Sequence, residues 1–408
     1  MIYTAIMGHG TVGSGVAEIL INANETVSNA VKEELGVKYI LDLRDFDDLS
    51  YSDKFIKDFE IILNDEDVKI VAEVMGGINP AYDFVKKCLL AGKSVVTSNK
   101  ELVAAKGAEL ISIAKENNVN FLFEASVGGG IPVLRPLTQC LSANKIEEVK
   151  GILNGTTNYI LNKMIVDSMN FDEALKLAQD MGYAEKNPAA DIEGHDACRK
   201  ICILATLAFG KHVYPDQVKT EGITEITLSD TENANLFNCV IKLIGSTKRL
   251  KDGKIAATVR PTLVSRENML SGVNGVFNAI MVTGDAVGDV MFYGQGAGKM
   301  ATASAVVADM IDCAKHISAR KYLEWTDGSN DYVVTPDEET RLYIAAKSSN
   351  LDALTDTFKS IFGNELKYFK NNFTNELFFI TDKGVESELI KKANALNANS
   401  IKILHTLF

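Results

Sequence analysis
Over the first 130 residues, short apolar runs alternate with amphipathic stretches. Ile2 to Met7 reads as a buried strand, and Thr11 to Leu20 puts Val12, Val16, Ile19 and Leu20 on one face of a helix. Further strands are predicted over Val37–Leu43, Lys69–Met75, Ser94–Thr97 and Val119–Phe123, with helices over Ala81–Leu90 and Leu102–Glu116. This alternation implies an α/β domain with a doubly wound parallel sheet. From Lys150 the texture changes. Longer helical patterns (Asp172–Met181, Ile192–Phe209, Ala234–Leu243) mix with strands over Lys254–Pro261 and Ala279–Thr283, as in an α+β domain on a mixed sheet. The Ala- and Val-rich pattern Thr302–Ala314 predicts a helix that packs back on the first domain, and Asp327–Asp331 reads as a linker.

The last stretch predicts a strand (Arg341–Ala346), a helix (Leu351–Phe362), two strands (Glu365–Phe369, Leu377–Thr381), a helix (Val385–Leu396) and a closing strand (Ile401–Leu407). That order, βαββαβ, is a ferredoxin-like plan. The expected division is residues 1–130 plus about 292–322, then 131–291, then 332–408.

A length of 408 residues is ample for such domains. Lys plus Arg total 42 against 54 for Asp plus Glu, and a net charge of −12 argues against a nucleic-acid-gripping surface. Six dispersed cysteines without a CxxC pair fit reduced core thiols in a cytoplasmic protein. The apolar runs are too short for a membrane span, and Ile2 follows Met1 with no basic segment of the kind that opens a signal peptide.

Gly8-His9-Gly10-Thr11-Val12-Gly13 is a GxGxxG between a predicted strand and a predicted helix. The first Gly suits a tight turn, the second lets the backbone approach a pyrophosphate, and the third lets helix and strand pack closely. At the end of the second strand stand Asp42 and Arg44. The acid would bond the ribose hydroxyls of NAD and the Arg would take the 2′-phosphate of NADP, so both cofactors stay open.

Lys100 follows the carboxyl end of a predicted strand, the edge where open α/β sheets bind ligands. The plain alternative is a solvated Lys at a helix start, a poor place for a cation. Glu124 precedes three consecutive glycines, Gly128 to Gly130, a segment suited either to a hard monovalent cation or to an interdomain turn. Asp196 and Lys200 stand four apart and share a helix face. They read as a surface ion pair or, because Ile201–Phe209 is apolar, as a Lys at a core wall whose acidity burial raises.

Ala178 to Lys200, with Gly182-Tyr183-Ala184, Asn187-Pro188, Asp191-Ile192, Gly194, Asp196 and Lys200, closely resembles the signature of the homoserine dehydrogenase family. Gly151 to Tyr159, Val273 to Ala279 and Gly284 to Gly288 also resemble family segments. The resemblance implies a Rossmann-type cofactor domain, a substrate and dimerisation domain, and reduction of L-aspartate 4-semialdehyde to L-homoserine with NAD(P)H. It implies Lys200 as proton donor, Lys100 as electrostatic stabiliser shared with the cofactor, and Asp196 as the group orienting Lys200. Glu185 and Asp191 would bind the substrate ammonium, and Gly155, Thr156 and Tyr183 would line the pocket. Glu124 with the carbonyls of Val127, Gly129 and Ile131 matches the family's monovalent metal position, for Na⁺ or K⁺.

Domain closure for hydride transfer would suit a hinge near Gly128–Pro132. A homodimer or homotetramer is expected. The chain departs from the family at Lys299-Met300-Ala301-Thr302, where a Gly, an apolar residue and Pro-Thr are usual, which adds a cation near the cofactor. The C-terminal unit resembles an ACT domain, implying an amino-acid effector such as threonine. The Asp-x-Pro-Gly type of turn is missing from Ala345–Asp352, and a unit used only for oligomer contacts is the alternative. Rival readings are a dehydrogenase of another amino-acid semialdehyde and a sensor that binds a dinucleotide without catalysis.

Overall fold
The computed structural model describes residues 1–22, 24–317, 319, 323, 325–328, 331–335 and 337–408. The far end of the return segment expected to reach residue 322, and the middle of the Asp327–Asp331 linker, lie outside the described residues.

The first domain runs β1 (Ile2–Met7), α1 (Thr11–Asn22), α2 (Asn24–Val31), β2 (Leu35–Leu41), β3 (Phe55–Ile56), α3 (Phe59–Asn64), β4 (Val68–Glu73), α4 (Ala81–Leu90), β5 (Ser94–Thr97), α5 (Lys100–Glu116) and β6 (Phe121–Leu122). All neighbouring strands are parallel, in the order β3-β2-β1-β4-β5-β6. This is the Rossmann arrangement, whose switch point between β1 and β4 is where dinucleotides bind. Alternation along β1 serves two cores: Ala5 and Met7 face the α4–α5 side, while Ile6 faces Val16, Leu20 and Met310.

The second domain contains β7 (Ile146–Ile152), α6 (Gly155–Val166), α7 (Phe171–Asp180), α8 (Ala189–Ile192), α9 (His195–Phe209), β8 (Lys219–Thr220), α10 (Leu228–Leu236), β9 (Cys239–Arg249), β10 (Ile255–Ser265), β11 (Phe277–Gly284) and β12 (Gly288–Gln295). Gly194 and Gly210, with φ of 86° and 82°, bracket α9 in left-handed conformations that Gly adopts without strain. The helix between them is buried on most of its faces, so Asp196 and Lys200 are carried into the protein and not onto its surface.

The expected helix over Ala234–Leu243 is not found. Thr227 and Asp230 form a reciprocal cap that starts α10 earlier, Asn238 turns the chain with φ of 56°, and the rest of the run becomes β9. Both faces of β9 are covered from Cys239 to Gly245, which erases the alternation that marks a strand in sequence.

β12 stays paired with β11, so the return to the first domain begins beyond Gln295. α11 (Lys299–Lys315) then lies on α1 and the parallel sheet, burying Ala303, Val306, Val307, Met310 and Cys313. At about 1.5 to 3 kcal/mol for each large apolar side chain, an upper estimate, this helix is an integral part of the first core.

Two short strands, β13 (Val333–Val334) and β14 (Glu339–Thr340), lead into β15 (Leu342–Lys347), α12 (Leu351–Phe362), β16 (Tyr368–Asn371), β17 (Glu376–Ile380), β18 (Gly384–Val385), α13 (Glu386–Asn394) and β19 (Ser400–Leu407). The antiparallel order β19-β15-β17-β16 is that of a ferredoxin-like unit. It is not detached: β19 pairs in parallel with β10 at Thr262, Leu263 and Val264, making one continuous sheet.

The first two domains are braced together. His212 bonds the Ala104 carbonyl of α5 through Nε2 at 2.9 Å and accepts the Trp325 indole N–H at Nδ1 at 2.8 Å, which fixes its tautomer. Gly130 donates to the Gln295 carbonyl at 3.2 Å, and a Cβ on Gly129 would lie 2.5 Å from the Gly296 oxygen. The segment Gly128–Pro132, expected as a hinge, is packed against the Gly296 crossing.

Candidate active site
The cofactor cradle follows from backbone sterics. Gly8 turns the chain with φ of 100° and donates its N–H to the Leu41 carbonyl at 2.8 Å. A Cβ on Gly13 would fall 1.9 Å from the Gly8 oxygen, so only Gly allows helix and turn to meet. A Cβ on Gly10 would meet nothing within 4 Å, so the space beside it is open. Thr11 and Val12 open α1 there, with the unpaired N–H groups and positive helix end that suit a pyrophosphate.

Asp42 and Arg44 share the rim of this cradle. Asp42 accepts from the His9 amide at 2.8 Å and the Arg44 amide at 3.0 Å, and its two oxygens take the Arg44 guanidinium at 3.0 and 2.9 Å. The Arg44 contacts hold the Asp42 carboxyl well below the usual carboxylate range. Arg44 itself stays 62% exposed. Lys299, the extra cation, pairs with Glu18 of α1 at 2.7 Å.

The second cluster lies where α5 meets α9. Lys200 Nζ donates to Asp196 Oδ2 at 2.7 Å and to the Leu153 carbonyl at 2.7 Å. Lys100 Nζ lies 2.7 Å from Asp196 Oδ1, so one carboxylate, 4% exposed, holds an ammonium from each domain. Beside them Arg199 and Glu101 make a parallel bridge at 3.2 Å. Burial alone would raise the Asp196 carboxyl, yet the two ammoniums outweigh it and hold the group well below its usual range. Burial pushes the Lys200 ammonium below the usual lysine range; Asp196 opposes this and the Lys100 charge adds to it. Burial would also lower Lys100, but Asp196 more than compensates and raises it. Two lysines with opposite shifts around one fixed carboxylate suit a proton donor beside a permanent charge.

Comparison with known proteins decides what this arrangement belongs to. The family model for homoserine dehydrogenase matches residues 132–311, and that for the homoserine dehydrogenase NAD-binding domain matches residues 8–124. The chain belongs to the homoserine dehydrogenase family. It is 42% identical over 321 residues to the homoserine dehydrogenase of Bacillus subtilis, covering 78% of this chain and 73% of that one. The homoserine dehydrogenase of Lactococcus lactis is 40% identical over 317 residues, or 76% and 74% of the two chains. The crystal structure of a homoserine dehydrogenase from Thiobacillus denitrificans superposes with a TM-score of 0.89 at 32% identity, covering 100% of this chain and 98% of that one. Its structural neighbours also include a hyperthermophilic archaeal homoserine dehydrogenase mutant in complex with NADPH, with a TM-score of 0.66, 30% identity, and coverage of 76% and 97%.

A homoserine dehydrogenase is an NAD(P)-dependent oxidoreductase acting on a CH–OH group, and the rival readings from sequence fall away. Around the lysine pair, the residues expected for substrate divide into two sets. Asp191 is half-buried, bonded to the Asn154 amide at 2.7 Å, and raised first by burial and then by Asp196. Gly155 and Thr156 open α6, and the Thr156 hydroxyl donates to the Tyr183 carbonyl at 2.7 Å. Tyr183 and Glu185 are exposed on the segment before α8.

Sequence reasoning missed Asn154. Asn154 caps α6 and its amide spans Asp191 and Asp196, at 2.7 and 2.8 Å. Its position before Gly155 and Thr156 is a recognisable cap signal.

The carboxylate expected on a metal does something else. Glu124 Oε1 accepts from the amides of Val133 and Leu134 at 2.7 and 2.8 Å, and Oε2 from that of Arg135 at 2.7 Å. It caps these three backbone N–H groups. Among the described residues, no group of three or more His, Cys, Asp or Glu side chains could hold a metal ion. No helix among them is long and apolar enough to cross a membrane.

Proposed function
We propose that this enzyme interconverts L-aspartate 4-semialdehyde and L-homoserine with Lys200 as acid in reduction and base in oxidation. The observation that carries the reading is the Lys200 ammonium, buried and bonded to Asp196 and the Leu153 carbonyl, which leaves one of its three N–H groups for the reacting oxygen. Bound NAD(P)H supplies a hydride to the aldehyde carbon. Lys200 gives its proton to the carbonyl oxygen, so aldehyde, hydride and proton yield the alcohol, and oxidation reverses each transfer. Lys100 stabilises the negative charge growing on that oxygen, and Asp196 fixes both ammoniums. Asp191 and Glu185 take the substrate ammonium, with Gly155, Thr156 and Tyr183 around it.

Gly8, Gly10, Thr11, Val12 and Gly13 hold the pyrophosphate, with Lys100 near the reacting end. The cofactor is NADP in preference to NAD: Asp42 is already satisfied by His9 and Arg44, and the exposed guanidinium meets a 2′-phosphate. A Na⁺ or K⁺ ion, if held at the metal position, uses the carbonyls of Glu124, Val127, Gly129 and Ile131. The C-terminal unit acts as an ACT domain that answers to an amino acid such as threonine, supported by its ferredoxin-like strand order. The enzyme works as a homodimer or homotetramer in the cytoplasm, where its six free thiols stay reduced.

The test follows NADPH absorbance with L-homoserine as substrate. Lys200→Met is expected to lower kcat by about 10²- to 10⁴-fold while NADPH binding stays within about twofold. Retained turnover removes Lys200 from the chemistry.

A further inference from the structure
β11 lies between β7 and β12, so Asn278 stands between two functional loops. On one side is the chain that leaves β7 through Leu153; on the other is the crossing at Gly296. Asn278 is 1% exposed, and its Nδ2 donates to the Leu153 carbonyl at 2.9 Å. Lys200 donates to the same carbonyl at 2.7 Å, so the two lone pairs of that oxygen are shared between a catalytic ammonium and a buried amide. A flipped amide would set oxygen against oxygen, which fixes the orientation.

Two further details show that the amide is placed against the demands of packing. A Cβ on Gly296 would lie 2.0 Å from Asn278 Nδ2, so the crossing needs Gly to pass it. Asn278 Oδ1 is buried and receives no hydrogen bond among the described residues. A buried acceptor without a donor is costly, and an apolar side chain of the same shape would avoid that cost.

We propose that Asn278 is a positioning residue for hydride transfer, acting on Lys200 through the Leu153 carbonyl that both of them bond. The amide holds the carbonyl in place and occupies one lone pair, so the oxygen is a weaker acceptor for the ammonium than it would be alone. Lys200 then parts with its proton more readily. The charged groups facing Lys200 are Asp196 on the same helix, Lys100 from α5 and Asp191 from α8, and none of them changes when Asn278 is replaced. This rests on the reading of Lys200 as the proton donor and acceptor.

The experiment compares Asn278→Leu and Asn278→Ala, neither of which can bond the Leu153 carbonyl or adds a charge, with the unaltered enzyme in L-homoserine oxidation across pH. Oxidation needs neutral Lys200, so kcat rises with pH through its titration. Both variants are expected to lower kcat about tenfold, keep KM for homoserine within about twofold, and move the rising limb to higher pH by about half a unit or more. Binding of NADPH, followed by its fluorescence, reports that the variants are folded. A limb that stays in place, with Lys200→Met inactive, overturns the role of Asn278 alone. An active Lys200→Met overturns the reading on which it rests. A variant that no longer binds NADPH has a structural role in that position and also overturns the proposal.

Discussion

Asp196 and Glu124 are both buried carboxylates near the junction of the first two domains, 4% and 5% exposed, yet their partners differ in kind. Asp196 is held by side chains, the ammoniums of Lys100 and Lys200 and the amide of Asn154. Those partners carry exchangeable protons or charge that can respond to a reacting oxygen. Glu124 is held by the amides of Val133, Leu134 and Arg135, which neither titrate nor move without moving the chain. Burial is common to both; charged side-chain donors on one and backbone amides on the other separate a group suited to chemistry from one that holds the chain.

Substitution of each carboxylate by its amide tests this difference. Asp196→Asn leaves two ammoniums facing each other across a neutral group, and turnover is expected to fall about 100-fold or more, read from initial rates of NADPH formation. Glu124→Gln puts an NH2 group against backbone donors. It is expected to lower stability by about 2 to 3 kcal/mol, seen as a lower Tm, while kcat stays within about twofold. Any dependence of the rate on Na⁺ or K⁺ should survive this change, because backbone carbonyls would make that site. Loss of turnover without loss of stability in Glu124→Gln breaks the comparison.

A third ion pair, Asp42 with Arg44, extends the comparison to the surface. Here water screens the charges and the guanidinium stays accessible, so its expected effect is on recognition and not on proton transfer. Arg44→Ala should reduce kcat/KM for NADPH about tenfold and for NADH about twofold or less, measured with both cofactors under the same conditions. Equal losses with the two cofactors would assign Arg44 to holding the loop.

The parallel sheet and its cradle were legible because they depend on local rules. The β1 run, the helix face of Val12, Val16, Ile19 and Leu20, and the glycines at 8, 10 and 13 each state their role within a few residues. For Asp196 and Lys200 the spacing of four marked one shared helix face, and the resemblance to the family signature, not the spacing, implied their roles. Asn278 and Leu153 were not legible, since one acts through a strand neighbour 125 residues away and the other through a backbone oxygen that every residue possesses. The Cys239–Leu243 run was misread because a strand covered on both faces carries no period-two pattern, and the backbone amides that Glu124 holds leave no mark in the sequence.

In the proposed mechanism Lys100 and Asp196 set the acidity of Lys200. In L-homoserine oxidation Lys200 must be neutral, so kcat rises with pH, and burial with the Lys100 charge places that rise below the usual lysine range. The direct test is the pH profile of kcat for Lys100→Met against the unaltered enzyme. Removing the like charge should move the rising limb to higher pH by about half a unit to one unit. A limb that stays where it was, or moves to lower pH, would show that the Lys100 charge does not set the acidity of Lys200.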